Sequence, residues 1–319
     1  MSTLYIDRKD LTLKLDSHCL ALYENGEKKA TVPFHLLERV VLRGNVQLES
    51  RLLCAFGEHK IDVLLLSGRN SQRRSMAFSH SHGDVRRRLG QYQACLAPAI
   101  QLPLANNLVL RKVRKQRRLL GKAMQQRADL RKPLFSANST LDAILDKLKA
   151  DDCAPLSELR GLEGAAAAAY FSGYTRLFPA SLDFQRRRKR PPPDPVNACL
   201  SLGYTLLHFD AVQVCHIVGL DPMLGFYHEP AFGRESLACD LIEPVRAYLD
   251  ELVWDLFADH WLRRDHFTAD GNRCLLNKAG RKIFYAQYEA FARPVRRLLR
   301  RYAQNLATGY LQADRELPL

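Results

Sequence analysis

The sequence predicts an α+β protein: a β-rich N-terminal domain over residues 1–80, a short linker over 81–90 and a larger all-helical domain over 91–319. Three observations predict it. Short apolar or alternating runs separated by turn residues fill the first domain, the pattern of half-buried strands. From Val85 the apolar residues recur instead at spacings of three and four, the period of an amphipathic helix. Between the two, Ser67 to Asp84 is rich in Ser, Gly, Arg and His, a composition that marks a loop at a boundary.

In the first domain Leu4–Ile6, Leu11–Leu15 and Leu20–Tyr23 read as strands. The Asn25-Gly26 pair is the strongest short hairpin signal, and Lys28–Val32 is the returning strand. Arg39–Leu42 and Ile61–Leu66 follow, the second apolar enough to be buried on both faces. Leu48–Glu58 has helical spacing, and Met76–Phe78 is a last edge strand.

In the second domain Arg86–Leu96 reads as a helix stopped near Pro98. A long helix over Ala105–Leu130 carries Arg111, Lys112, Arg114, Lys115, Arg117 and Arg118, a run with no acid to pair it, better explained by phosphate contacts than by a solvated face. Thr140–Lys149 is a shorter helix with Ser139 or Thr140 as its cap. The alanine-rich stretch around Glu163 is helical, and its carboxylate has no basic residue at i+3 or i+4. It either reaches across to a neighbouring helix or is a first-turn residue favoured by the helix dipole. Arg186, Arg187, Arg188, Lys189 and Arg190 precede a proline cluster and read as an unpacked basic loop that grips nucleic acid. Asn197–Val218 is helical. Glu235 to Phe257 is helical with a kink at Pro244, which removes the backbone bond to Asp240. Ala258–Cys274 reads as irregular, Lys278–Leu306 as a last basic helix carrying Arg293, Arg296, Arg297, Arg300 and Arg301, and the residues after Gly309 as a tail.

Composition narrows the function. With 48 Lys plus Arg against 34 Asp plus Glu, the chain carries +14, which argues for a polyanionic partner, nucleic acid first and an anionic membrane second. No apolar run reaches the ~18 residues of a membrane span, and the first residues lack a secretory pattern, so the cytoplasm is the expected location. The eight cysteines form no Cys-x-x-Cys pair, which speaks against a zinc finger or a thioredoxin-type centre.

The most informative stretch is Leu224 to Arg246. His228 lies in an irregular segment bounded by Gly225, Pro230 and Gly233, just before the helix that carries Asp240 and Glu243. Two carboxylates three residues apart project from one side of a helix and repel unless a cation lies between them. The residues leave two readings open: a metal held by carboxylates and an imidazole, or a solvated acidic face beside a surface histidine. His80-Ser-His82 is a second, weaker metal candidate.

Several motifs together resemble the CRISPR-associated protein 1 family. They are Tyr5–Asp10, Glu38–Gly44, Gly161–Ala165 leading to Tyr170-Phe171, Pro193–Ala198 with Leu200–Leu207, Gly225–His228 and Asp240–Glu243, in the family's order. The resemblance implies a DNA endonuclease and integrase that inserts foreign fragments as spacers into a CRISPR array by phosphoryl transfer. It implies catalysis by Glu163, His228 and Glu243 around Mg²⁺ or Mn²⁺, with Asp240 as a fourth acid. It also implies double-stranded DNA as substrate (protospacer and array), a homodimer formed through the β domain, and the small CRISPR-associated protein 2 as partner. Arg111, Lys112, Arg114, Lys115, Arg118, Arg186–Arg190 and Arg246 are the expected DNA contacts. The alternative is a non-catalytic basic DNA-binding module with a structural acidic cluster.

Overall fold

The computed structural model describes residues 2–68, 73–79, 82–151, 154–188 and 191–316. The chain divides into two compact units, Met1–His82 and Gly83–Leu319. In the first, β1 (Ser2–Ile6), β2 (Leu11–Asp16), β3 (Cys19–Glu24), β4 (Glu27–Pro33), β5 (Leu37–Arg43), β6 (Val46–Leu48), α1 (Ser50–Glu58), β7 (Asp62–Leu66) and β8 (Arg73–Ala77) follow in order. They build two four-stranded sheets, β4-β3-β2-β6 and β1-β5-β7-β8. Asn25 and Gly26 both take positive φ, 53° and 82°, so Glu24 faces Glu27 across a two-residue turn whose twist suits the strands. Strands β1, β5 and β7 run parallel and β8 closes the edge antiparallel. Leu13, Leu20, Phe34, Leu42, Leu52 and Phe56 meet in one core, which makes the unit a packed domain.

The second unit contains α2 (Arg86–Leu96), α3 (Pro98–Gln126), α4 (Arg131–Ala150), α5 (Leu156–Tyr174), α6 (Pro195–Val218), α7 (Ser236–Ile242), α8 (Arg246–Ala258), a hairpin of β9 (Phe267–Asp270) and β10 (Arg273–Leu276), and α9 (Lys278–Glu316). Its axis is α6. Asp194 caps it by accepting from Asn197 N at 2.8 Å, Pro195 stands where no amide bond is needed, and Gly219 ends it at φ 78°. This helix is long and apolar enough to cross a membrane by composition, yet 78% of that window is buried among the other helices, as in a core helix.

Several boundaries differ from the sequence expectation. Helix α2 starts inside the stretch expected as a linker. Helix α2 ends at Leu96, before Pro98 as expected, but α3 starts at Pro98 rather than Ala105, because proline at a first-turn position lacks an N–H that the helix does not need there. Helix α4 starts at Arg131, so Ser139 and Thr140 are interior residues whose hydroxyls donate back to Phe135 O and Ser136 O. The stretch expected to be irregular holds the β9–β10 hairpin, turned at Gly271 with φ 60°. Helix α9 runs past Gly309 to Glu316 and buries Tyr310, so no tail begins there.

Candidate active site

Three elements of the helical unit converge on one buried point. Helix α5 brings Glu163 from its interior, seven residues after its first residue Leu156, too far along for a first-turn dipole role. The segment from Gly225 to His228 brings the imidazole. Pro244 splits the expected long helix into α7, a 3-10 turn over Glu243–Val245, and α8. Glu243 therefore stands at a helix break, 4% exposed.

The cation between the carboxylates is Lys112. Its ammonium donates to Glu163 Oε1 and lies 2.6 Å from Glu243 Oε2, an ion pair bent away from hydrogen-bond alignment. Arg246 places Nε 3.0 Å from Glu243 Oε1, again out of line. Burial pushes the Glu243 carboxyl up, but Arg246 and Lys112 outweigh it and hold it down at about 2, so the group is an anion. Burial likewise opposes the charge on Lys112, and Glu243 and Glu163 more than restore it. Lys112 was expected on a phosphate-binding face; that reading is corrected. Its helical phase places it with Leu108, Val109, Val113 and Gln116 on the buried stripe of α3, the signal that distinguishes it from its basic neighbours.

Asp240 is likewise not placed as a metal ligand. It is fully buried and turned into the backbone of the 226–228 segment. Its Oδ2 accepts from Phe226 N at 2.8 Å and Tyr227 N at 3.0 Å, and its Oδ1 from His228 N at 3.0 Å. Oδ1 also lies 2.6 Å from His228 Nδ1. A carboxylate so placed draws the proton to Nδ1 and leaves Nε2 as the nitrogen with a lone pair to offer. Burial raises the Asp240 carboxyl against these donors, which pull it down. Gly225 is what lets the carboxylate approach: a Cβ there would stand 2.5 Å from Asp240 Oδ2.

Whether a divalent metal fits can be tested on these atoms. Glu243 Oε2 is buried and meets its one cation, Lys112, at 2.6 Å without hydrogen-bond alignment, so its lone pairs are not saturated. An ammonium already stands between Glu163 and Glu243, where such a cation would stand. His228 lies near enough to pull the Glu243 carboxyl down. Two carboxylates and an imidazole suit Mg²⁺, Mn²⁺ and their neighbours. Among the described residues no group of three or more His, Cys, Asp or Glu side chains is gathered closely enough to hold a metal ion, and Lys112 holds the position between Glu163 and Glu243.

Around this point lies a network that sequence reasoning missed. Asp250 accepts from Tyr170 Oη at 2.8 Å and from Tyr204 Oη, and its carbonyl accepts from Tyr174 Oη at 2.7 Å. Arg246 lies 4.8 Å from the centre of the Tyr204 ring and Arg187 5.5 Å from it. Arg187 also donates to Asn197 Oδ1 at 2.7 Å. Arg187 is thus packed, which corrects the reading of its run as an unpacked loop; Arg186 and Arg188 are exposed, and Lys189 and Arg190 lie outside the described residues, as does His80. On α3, Arg114, Lys115, Arg118 and Lys122 line a groove of about 820 Å³ shared with α4 and α8. Lys115 lies over the Tyr248 ring, Arg111 over Tyr302, and Arg117 is paired with Asp142 at 2.9 Å, so the basic run is not wholly without acids. Arg296 of α9 is paired too, with Asp210 and Glu289, unlike the free basic face expected there.

The family model described as CRISPR associated protein Cas1 matches residues 4–290. A CRISPR-associated endonuclease Cas1 of Thermodesulfovibrio yellowstonii is 39% identical over 98% of this chain and 98% of its own. Another, of Rhodospirillum rubrum, is 34% identical over 98% of this chain and 93% of its own. Among solved structures, a CAS1 protein from Thermotoga maritima superposes with a TM-score of 0.83 at 22% identity, covering 98% of this chain and 97% of that one. A casposase bound to integration product has a TM-score of 0.83 at 21% identity, covering 97% and 91%; both likenesses concern the fold. A family match over most of the length, with relatives above 30% identity end to end, leaves one conclusion: the chain belongs to the CRISPR-associated protein Cas1 family.

Proposed function

We propose that this protein is a metal-dependent DNA endonuclease and integrase that inserts foreign DNA fragments as spacers into a CRISPR array by phosphoryl transfer. The observation that carries the proposal is the convergence of Glu163 and Glu243, from separate helical elements, on one cation position beside a histidine whose Nδ1 is held by Asp240. Relatives named CRISPR-associated endonucleases support the same reading. Glu163, His228 and Glu243 would hold Mg²⁺ or Mn²⁺. When bound, the ion supplies charge stabilisation at a phosphate oxygen and a lower pKa for an attacking water or 3′-hydroxyl. Asp240 fixes the imidazole, Arg246 offsets the charge of Glu243, and Arg114, Lys115 and Arg118 offer cations to a DNA backbone with little sequence information. The proposal includes double-stranded DNA as substrate and assembly as a homodimer through the β domain. It also includes the small CRISPR-associated protein 2 as partner, and the cytoplasm as location.

The test is strand transfer on branched DNA with and without EDTA. Glu163→Ala, His228→Ala and Glu243→Ala should each abolish product while DNA binding persists, and Mn²⁺ should support activity at lower concentration than Mg²⁺. Full activity from His228→Ala at ordinary Mg²⁺ would sink the assigned ligand set. No metal-dependent product under any condition would leave the binding-module reading.

A further inference from the structure

We infer that Lys112 is a built-in, displaceable counter-ion of the metal site: its ammonium holds the position between Glu163 and Glu243 in the metal-free protein and leaves it when a divalent cation arrives. The inference rests on the reading that these carboxylates and His228 bind metal, and adds to it that binding is an exchange of cations.

The first reason is position. Lys112 Nζ contacts both carboxylates, which come from different elements and repel each other unless a cation stands between them. The second is charge. Glu163, Glu243 and Asp240 carry three negative charges, and Lys112 and Arg246 carry two positive ones, so a divalent ion that replaces Lys112 leaves the cluster neutral. A divalent ion added with Lys112 still in place would leave an excess of one positive charge in a site where Glu243 is 4% exposed and the Lys112 side chain 11%. Screening is weak at such burial, so the ion and the ammonium repel each other and the ammonium is driven from the contact. The third is the kind of side chain. Arginine would grip both carboxylates through a rigid fork, whereas lysine is a point charge on a flexible stem that can swing away. Its contact with Glu243 is already off the hydrogen-bond axis, and Glu243 Oε2 keeps an unused acceptor. Glu163, whose side chain is 25% exposed, marks the open side towards which the stem can turn.

The exchange has a function. Without a cation between them, Glu163 and Glu243 would repel, with Arg246 alone left to offset Glu243, and the Glu163 helix would be pushed from the Glu243 turn. Lys112 keeps the two ligands in place until metal is present, and because metal must displace it, it raises the metal concentration at which the site fills.

Two measurements test this on the full chain. Calorimetric titration with Mn²⁺ compares the wild type, Lys112→Met and Glu243→Gln. Saturable wild-type binding that Glu243→Gln removes establishes the site; its absence would overturn the metal-site reading itself, whatever Lys112 does. Given that site, Lys112→Met should bind Mn²⁺ at least about tenfold more tightly, because no tethered cation competes for the carboxylates. Affinity unchanged or weakened in a folded variant would overturn the exchange while leaving the metal site standing. Should Lys112→Met fail to fold, the wild type decides. Reductive methylation followed by mass spectrometry should find Lys112 protected in EDTA and labelled several-fold faster in saturating Mn²⁺. Equal protection in both would show an ammonium that stays, and the inference would fall.

Discussion

Replacing Asp240 by asparagine removes one charge and one acceptor without changing the shape of the side chain. The carboxylate receives Phe226 N and Tyr227 N on Oδ2, and His228 N and Nδ1 on Oδ1, at 2.6 to 3.0 Å. An asparagine has one oxygen and one NH₂. Turned to the Oδ2 side, the NH₂ meets the N–H groups of Phe226 and Tyr227 and satisfies neither; turned to the Oδ1 side, it leaves His228 N unpaired and faces Nδ1. Hydrogen bonds to a charged group contribute about 1.5–3 kcal/mol each, so losing one or two predicts a loss of about 1.5–6 kcal/mol in unfolding free energy. If the NH₂ turns to His228, the ring relieves the clash by moving its proton to Nε2. That tautomer has no lone pair on Nε2, the nitrogen that would face a metal, and loss of such an orienting partner weakens metal affinity or activity about 10–100-fold. Denaturant unfolding and Mn²⁺ titration of Asp240→Asn read the two effects separately. Unfolding free energy within 1 kcal/mol of wild type, together with unchanged Mn²⁺ affinity, would refute the account. That result would mean that Asp240 neither holds the 226–228 segment nor orients the imidazole.

Two further outcomes follow from the same contacts. Arg187→Ala should lose about 1–3 kcal/mol, since it removes the bond to Asn197 and the contact with Tyr204, whereas Arg186→Ala and Arg188→Ala should stay within about 0.5 kcal/mol; thermal melts giving all three the same small effect would return the run to an unpacked loop. His208 lies 2.7 Å from Glu235, and although burial lowers its pKa, bonds to Cys239 and Glu235 raise it on balance. A raised folded value means stabilisation that is complete below the unfolded pKa of about 6.5 and lost as pH rises through the folded one. The stability gap between wild type and His208→Gln should therefore close with rising pH, and a gap that widens would contradict the sign.

What was legible in the sequence is what depends on local pattern. Asn25-Gly26 forces its own turn, and Pro244 breaks its own helix, whatever packs around them. The residues that converge at the site were readable as chemistry: an acid without a local partner at position 163, and a histidine in a loop before two acids. What was not legible depends on partners distant in sequence. Lys112 pairs with residues 51 and 131 positions away, so composition grouped it with its basic neighbours although its helical phase set it apart. Arg187 was misread for the same reason. Five cations before a proline cluster look solvated until Tyr204, a residue of another element, supplies a ring to lie against.

The break at Pro244 explains how one helix could present two acids with opposite fates. In an unbroken α-helix Asp240 and Glu243 would share a face, repel each other and need a common cation. Here α7 ends at Ile242, and Glu243 opens a tighter turn, so each carboxylate finds its own positive partner. Asp240 turns to the N–H groups of residues 226–228 and to His228; Glu243 turns to Lys112 and Arg246. The division matters because the first acid fixes the nitrogen that the second acid needs beside it. Had Asp240 remained a ligand, no group would hold the His228 tautomer; had Glu243 packed against the loop, the cation position next to Glu163 would lose one of its two anions. The proline is therefore as much a part of the site as the acids, although it carries no reactive group.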